Sequence, residues 1–239
     1  MPEPTQNAEI EKKLAIVFGS GPGIGEATVN TLADAGWEVL GLGRDDCDLA
    51  DLAAVAALAE DLAERYPRID AIIHAAGIWH DENEAFVNRD LEDYDPAWIA
   101  ATMNVGITSF MMLTARLMPN LPRDGAVVGI SAMFEGELRN NKGDAASGWL
   151  PYYTSKRAME DFLVGLAQDY PIGPRVYGVS PGDTMTPAME KYFPKVAKDS
   201  QPAHSVSLLV EHLLKGDSPY HSGDIVAVKA KTAGTGYHS

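Results

Sequence analysis

The stretch "LAIVFGSGPGIG", residues 14–25, decides how the rest of the chain is read. Five apolar residues, long enough for a strand buried on both faces, run straight into a glycine-rich loop and then into a helix-like segment. The dinucleotide spacing G-x-G-x-x-G fails from Gly19, Gly21 and Gly23, whose sixth positions are Ile24, Glu26 and Thr28. The pattern G-x-x-x-G-x-G fits instead, on Gly19, Gly23 and Gly25. Glycines at such a turn let an anion approach the first helical amides, where unpaired N–H groups and the helix dipole favour negative charge. A tight strand-to-helix turn would use the same glycines, so the loop alone admits both readings. No Walker lysine follows, which argues against a P-loop nucleotidase.

Working outward, apolar runs of strand length recur at 14–18, 38–42, 71–75, 126–131, 175–180 and 224–228, and "CDL" at 47–49 is a candidate for a seventh. Helix-like stretches at 24–35, 51–65, 96–118, 153–169 and 204–215 separate them, with Ala, Leu and Met recurring at three- and four-residue steps. Pro96 after Asp95 suits a helix start, because proline at the first helical position loses no needed donor. This alternation predicts an α/β, doubly wound, Rossmann-type three-layer sandwich on a mostly parallel seven-stranded sheet. The expected organisation is a polar tail at 1–13, one domain over 14–229 and a tail at 230–239. Ligands in such a fold sit beyond the carboxyl ends of the strands.

Composition narrows the partners. With 19 basic against 34 acidic residues the formal charge is −15, so the average surface repels a phosphate polymer and nucleic acid is not an expected partner. The opening "MPEPTQNAEIEKK" has no apolar core of the signal-peptide kind, and no unbroken run of about 18 apolar residues suggests a membrane span. A single cysteine, Cys47, excludes an internal disulfide and suits a reducing compartment, hence a cytoplasmic setting.

Two further stretches carry chemistry. The second strand ends in "LGLGRDD" (40–46), where a carboxylate at the tip would favour a free ribose 2′-hydroxyl and an arginine a 2′-phosphate. Gly43 stands at the acidic place and Arg44 follows, which points to NADP; pairing of Arg44 with Asp45 and Asp46 would leave NAD as the alternative. In "GWLPYYTSKRAME" (148–160), Tyr152 and Lys156 lie one helical turn apart and share a face. An ammonium beside a phenol favours the phenolate and lowers a pKa of about 10, fitting the tyrosine for proton exchange with an alcohol or carbonyl. Tyr153 with Arg157 is a poorer match, because guanidinium is larger and differently shaped.

"GSGPGIG", "HAAG" (74–77), "MNVG" (103–106), "YYTSK" (152–156) and "SPGDTMT" (180–186), in this order, make the chain resemble the short-chain dehydrogenase/reductase family over about 14–228. The resemblance implies reversible conversion of a carbonyl to a secondary alcohol with a nicotinamide cofactor. Tyr152 would be the general acid/base and Lys156 its modulator and ribose ligand. It implies cofactor contacts from Gly19, Ser20, Gly23, Ile24 and Gly25, from Arg44, Asp48 and Leu49, and from Ala75, Ala76 and Gly77. Pro181, Gly182, Thr184 and Thr186 would line the nicotinamide. Asn104 matches the asparagine whose backbone carbonyl holds a water on the proton path to the lysine. His74 replaces the first asparagine of the family's N-N-A-G segment, whose amide braces the sheet.

The chain departs from the pattern at the serine that polarises the substrate oxygen, since Ser131 is followed by Ala132. The longer path from Ser131 to Tyr152 makes Ser131 the expected substitute, with Ser147 or a water as alternatives. The implied substrate is a small carbonyl or alcohol, and the implied assembly a homodimer or homotetramer through the helices at 96–118 and 153–169. Two rival readings stay open: a cofactor-binding regulator without turnover, and an epimerase or dehydratase of the same fold. Residues 133–151 and 187–203 should define the substrate, with Trp149, Met189, Tyr192 and Phe193 either an apolar wall or ordinary loop anchors. "HDENEAF" (80–86) reads as a solvated loop rather than a metal site.

Overall fold

A computed structural model describes residues 12–133 and 148–228. Its main sheet has six parallel strands: β1 (Leu14–Phe18), β2 (Glu38–Leu42), β3 (Ala71–His74), β4 (Ala126–Ile130), β5 (Arg175–Pro181) and β8 (Ile225–Val228). They lie in the order β2-β1-β3-β4-β5-β8, with Val17 opposite Gly41 and Ile73, and Gly129 opposite Gly178. The doubly wound parallel sheet is therefore as expected. No strand forms at 47–49: the chain passes there between turns at 44–46 and 49–50 to reach Asp51, whose carboxylate caps the next helix through the amides of Ala53 and Ala54. A separate two-stranded ladder, β6 (Thr184–Met185) with β7 (Gln201–Pro202), closes the segment after β5.

Strand period two explains the three layers. Leu14, Ile16, Phe18, Ile72 and Val127 point to one face and pack on α2 (Leu52–Arg65), α4 (Ser109–Leu117) and α5 (Leu150–Asp169) through Val55, Leu62, Phe110, Leu113, Met159 and Leu163. Ala15, Val17, Ile73, Val128 and Val179 point to the other, against α1 (Ile24–Asp34) and α8 (Ala203–Leu214) through Leu32, Val206, Val210 and Leu213. Both sheet faces are covered, which is why the strands read as unbroken apolar runs.

Residues 96–118, expected as one helix, are interrupted. The segment α3 (Pro96–Met103) passes into a π-helical turn at Asn104–Thr108 before α4 begins. Pro96–Asn120 is also long and apolar enough, by length and composition, to cross a bilayer, where the sequence reading expected no such span. Its apolarity has a local use: Phe110, Leu113 and Leu117 are fully buried against the sheet. Helix α5 starts at Leu150, three residues earlier than expected, because Pro151 sits in its first turn and loses nothing there. Two short helices, α6 (Pro187–Tyr192) and α7 (Pro194–Ala197), follow β6.

Candidate active site

The strand order reverses between β1 and β3, since the chain leaves β1 for β2 and returns on the other side. The loops after these two strands meet at that switch point, beyond their carboxyl ends. A Cβ on Gly19 would lie 2.6 Å from the backbone of Ala76, and Gly19 holds φ +80°, a left-handed conformation that side chains disfavour. One on Gly25 would lie 1.9 Å from the carbonyl oxygen of Gly19. The two glycines let the loop fold flat onto the start of α1, leaving helical amides facing a cleft of about 1660 Å³. This cradle fits a pyrophosphate.

Most of the expected cofactor residues line this cleft: Gly19, Ile24, Gly25, Arg44, Asp48, Leu49, Ala75, Ala76, Gly77, Pro181, Gly182, Thr184 and Thr186. Ser20 and Gly23 do not, whereas Gly21 and Pro22 of the same loop do. Gly23 nevertheless faces Thr186, whose Cγ2 would be 3.1 Å from an added Cβ. Arg44 is exposed at the cleft edge, while Asp46 turns back to accept the Gly43 amide at 2.7 Å. Neither Asp45 nor Asp46 lines the cleft.

Tyr152 and Lys156 occupy the floor, and Gly77 covers them: an added Cβ would come within 2.9 Å of the Lys156 amine and 3.4 Å of the Tyr152 ring. Helix α5 sets the pair on one face, with the lysine nitrogen 5.6 Å from the tyrosine ring centroid. The lysine is 2% exposed and its Nζ donates to the carbonyls of Ile130 (2.7 Å), the last residue of β4, and Ala76 (3.1 Å), in the loop after β3. Burial pulls its pKa from 10.5 down to about 7, with the Glu160 carboxylate pulling the other way. Burial likewise pushes the Tyr152 phenol above its ordinary 10. The expected lowering by the ammonium is therefore outweighed in the cofactor-free protein, and the phenol holds its proton at neutral pH.

Ser131, just past the end of β4, lines the cleft as expected, and its hydroxyl is engaged by a neighbouring side chain. It donates to Glu160 Oε1 at 2.6 Å, and Glu160, itself buried, also pairs with Arg157. Glu160 lies four residues after Lys156 and was missed, although that spacing puts it on the same helical face. Ala132 lines the cleft where the family's serine would stand. Ser147 lies outside the described residues.

Asn104 does not line the cleft; its Nδ2 donates to Ala50 O at 3.0 Å and its carbonyl accepts the Ser109 amide inside the π turn. His74 takes over the bracing that its replacement of asparagine put in question. Its Nε2 bonds to Val105 O at 2.9 Å and its ring stacks on Phe110 at 4.7 Å. A carbonyl only accepts, so Nε2 carries the proton, and full burial lowers the ring's pKa to about 3, keeping it neutral.

Of the anticipated wall residues, Trp149, Met189 and Tyr192 line the cleft, and Phe193 packs against Trp149 at 5.7 Å. Trp79 and His80 join them and were missed; their place just after β3, beyond the strand's carboxyl end, was the available signal. In the "HDENEAF" loop, the Asp81 carboxylate accepts the amides of Asn83 and Glu84, and no group of three potential metal ligands occurs among the described residues.

Comparison with known proteins identifies the family. A family model described as enoyl-(acyl carrier protein) reductase matches residues 45–212. The chain is 27% identical over 209 residues to the uncharacterized oxidoreductase YciK of Escherichia coli, covering 77% of this chain and 79% of that one. It is 26% identical over 223 residues to the short-chain reductase protein NovJ of Streptomyces niveus, covering 82% and 78%. Among solved structures, a short chain dehydrogenase from Burkholderia cenocepacia in complex with NADP superposes with a TM-score of 0.73 at 23% identity, over 91% of this chain and 96% of that one. A Serratia marcescens short-chain dehydrogenase/reductase does so at 0.74 and 19%, with the same coverage. Matched over most of its length, with the tyrosine and lysine lining the same cleft as the glycine loop, the chain belongs to the short-chain dehydrogenase/reductase family of nicotinamide-dependent oxidoreductases.

Proposed function

We propose that the protein is an NADP(H)-dependent oxidoreductase that interconverts a carbonyl compound and a secondary alcohol, running as a reductase in a reducing cytoplasm. The observation that carries it is the pairing of Tyr152 with a buried Lys156 on the cleft floor. Bound NADPH would supply the hydride that adds to the carbonyl carbon as the π pair moves to oxygen. Tyr152, kept protonated by burial, would deliver its phenolic proton to that oxygen, and Lys156 would stabilise the phenolate left behind. Gly19 and Gly25 would admit the pyrophosphate, Arg44 the 2′-phosphate, and Pro181, Gly182, Thr184 and Thr186 the nicotinamide end. Ser131, through Glu160, would act on Lys156 rather than on the substrate.

Assembly into a homodimer or homotetramer through the outer faces of α4 and α5 belongs to the same reading, and Met111 and Val164 are exposed there. The test follows NADPH absorbance against a panel of ketones and aldehydes. Tyr152→Phe should bind NADPH as the parent does and lose at least about 100-fold in kcat. Turnover by the variant at the parental rate, or by neither protein on any carbonyl, would overturn the assignment.

A further inference from the structure

Beyond Tyr152 the cleft is walled by aromatic rings from three separate parts of the chain. Trp79 follows β3, Trp149 precedes α5, and Tyr192 and Phe193 end α6. Ring centroids are 5.6 Å apart for Trp79–Trp149, 5.9 Å for Trp79–Tyr192, 5.7 Å for Trp79–Phe193 and 6.0 Å for Trp149–Tyr152. Trp79, Trp149 and Tyr192 face the cleft, and the wall is continuous with the proton donor.

These rings are not part of either core cluster flanking the sheet, and each of them is only half-buried. Packing alone would have covered them, because indole and phenyl area left in water forfeits the stabilisation that burial gives. The wall is also held in place. The Tyr192 hydroxyl donates to Asp81 O at 2.7 Å and the Lys191 amine to Glu82 O at 2.7 Å, tying α6 to the loop that bears Trp79. A surface fixed in advance has less ordering to lose when a ligand arrives.

The charges at this end of the cleft are unbalanced. Asp81, Glu82 and Asp199 line the cleft, against Lys191 and the buried Lys156. Arg44 is on the loop after β2, at the other end beside the glycine cradle. An anion entering here meets a net negative potential, whereas an uncharged ring meets flat π faces that favour stacked or edge-to-face contact.

We propose that the substrate is an uncharged, flat aromatic ketone or aldehyde whose ring stacks on the Trp79–Trp149–Tyr192 wall while its carbonyl oxygen reaches the Tyr152 hydroxyl. The reaction itself rests on the oxidoreductase reading above; the recognition does not.

The experiment separates the two. Calorimetry on Tyr152→Phe protein saturated with NADPH measures binding without turnover. The probes are 2-acetonaphthone, the linear ketone 2-dodecanone with the same carbon count, and the anionic 6-acetyl-2-naphthoic acid. The naphthyl ketone should bind at least about 10-fold more tightly than either of the others, and NADPH consumption by the parent protein should follow the same order. Trp79→Ala should weaken naphthyl ketone binding about 10-fold, leave 2-dodecanone and NADPH affinities within about twofold, and be largely rescued by Trp79→Phe. If Trp79→Ala fails to bind NADPH, Tyr192→Leu, which keeps bulk and removes the ring, carries the same expectation. Equal or tighter binding of 2-dodecanone or of the naphthoate, or naphthyl ketone binding indifferent to loss of the rings, overturns the proposal. Selective naphthyl ketone binding with no turnover of any carbonyl would instead uphold the aromatic site and refute the oxidoreductase reading.

Discussion

Replacing Lys156 by methionine tests the electrostatics of the floor without assuming any substrate. Lys156 is 2% exposed, and its amine donates to two neutral carbonyls. The nearby carboxylate, Glu160, is already shared by Ser131 and Arg157. Burial therefore lowers the pKa from 10.5 to about 7. In the unfolded chain the same amine keeps its proton to about pH 10.4. Between these two values the unfolded state binds the extra proton, so stability must rise with pH. At about 1.4 kcal/mol per pH unit the full window is worth roughly 5 kcal/mol, and the stretch from about pH 7 to 9 roughly 2–3 kcal/mol. Below about pH 6 both states hold the proton and the slope vanishes.

Lys156→Met has no such slope, although it leaves two carbonyls short of a donor at a pH-independent cost of about 1–3 kcal/mol each. Tyr152, whose burial raises its phenol, contributes with the opposite sign, and only above about pH 10. Urea unfolding of both cofactor-free proteins across about pH 6–9 should thus show the parent gaining roughly 2–3 kcal/mol on the variant between pH 7 and 9. Parallel profiles would refute the claim that the folded state holds this amine against a desolvation cost.

Three other substitutions probe the rest of the cleft. Ala132→Ser would restore a hydroxyl where that of Ser131 is engaged by Glu160, and kcat on a reducible ketone should rise about 10- to 100-fold; an unchanged kcat would mean that the oxygen already has a second donor. Arg44→Ala should weaken NADPH binding about 10-fold or more and NADH binding less than about twofold, read by fluorescence titration; equal losses would remove the arginine from the phosphate. Gly25→Ala puts a methyl 1.9 Å from a backbone oxygen that cannot rotate away, so the loop must shift, and NADPH affinity should fall about 100-fold or more. Parental affinity in that variant would show that the loop is not the pyrophosphate cradle.

Much of this molecule was readable along the chain because its signals are local. A strand covered on both faces is an unbroken apolar run, as in Leu14–Phe18, and a helix start shows as Asp95-Pro96. Tyr152 and Lys156 are one turn apart on a single helix, so their sharing of a face needed no knowledge of the fold. The weak "CDL" run was misread because three residues with Asp in the middle satisfy a loop as well as an edge strand. Asn104–Thr108 gave no local sign of a π turn; in the fold its Val105 carbonyl meets His74 and its Asn104 side chain reaches Ala50, both distant in the sequence.

What the order of residues determined by itself is the layered sheet, the glycine cradle and the tyrosine–lysine pair, each set by neighbours within a few positions. Where Ser131 sends its proton, how far burial shifts Tyr152 and Lys156, and the assembly of Trp79, Trp149 and Tyr192 into one wall were decided only by tertiary structure. Those outcomes depend on residues tens of positions apart and on how much water the fold leaves around them, and neither quantity is carried by local spacing.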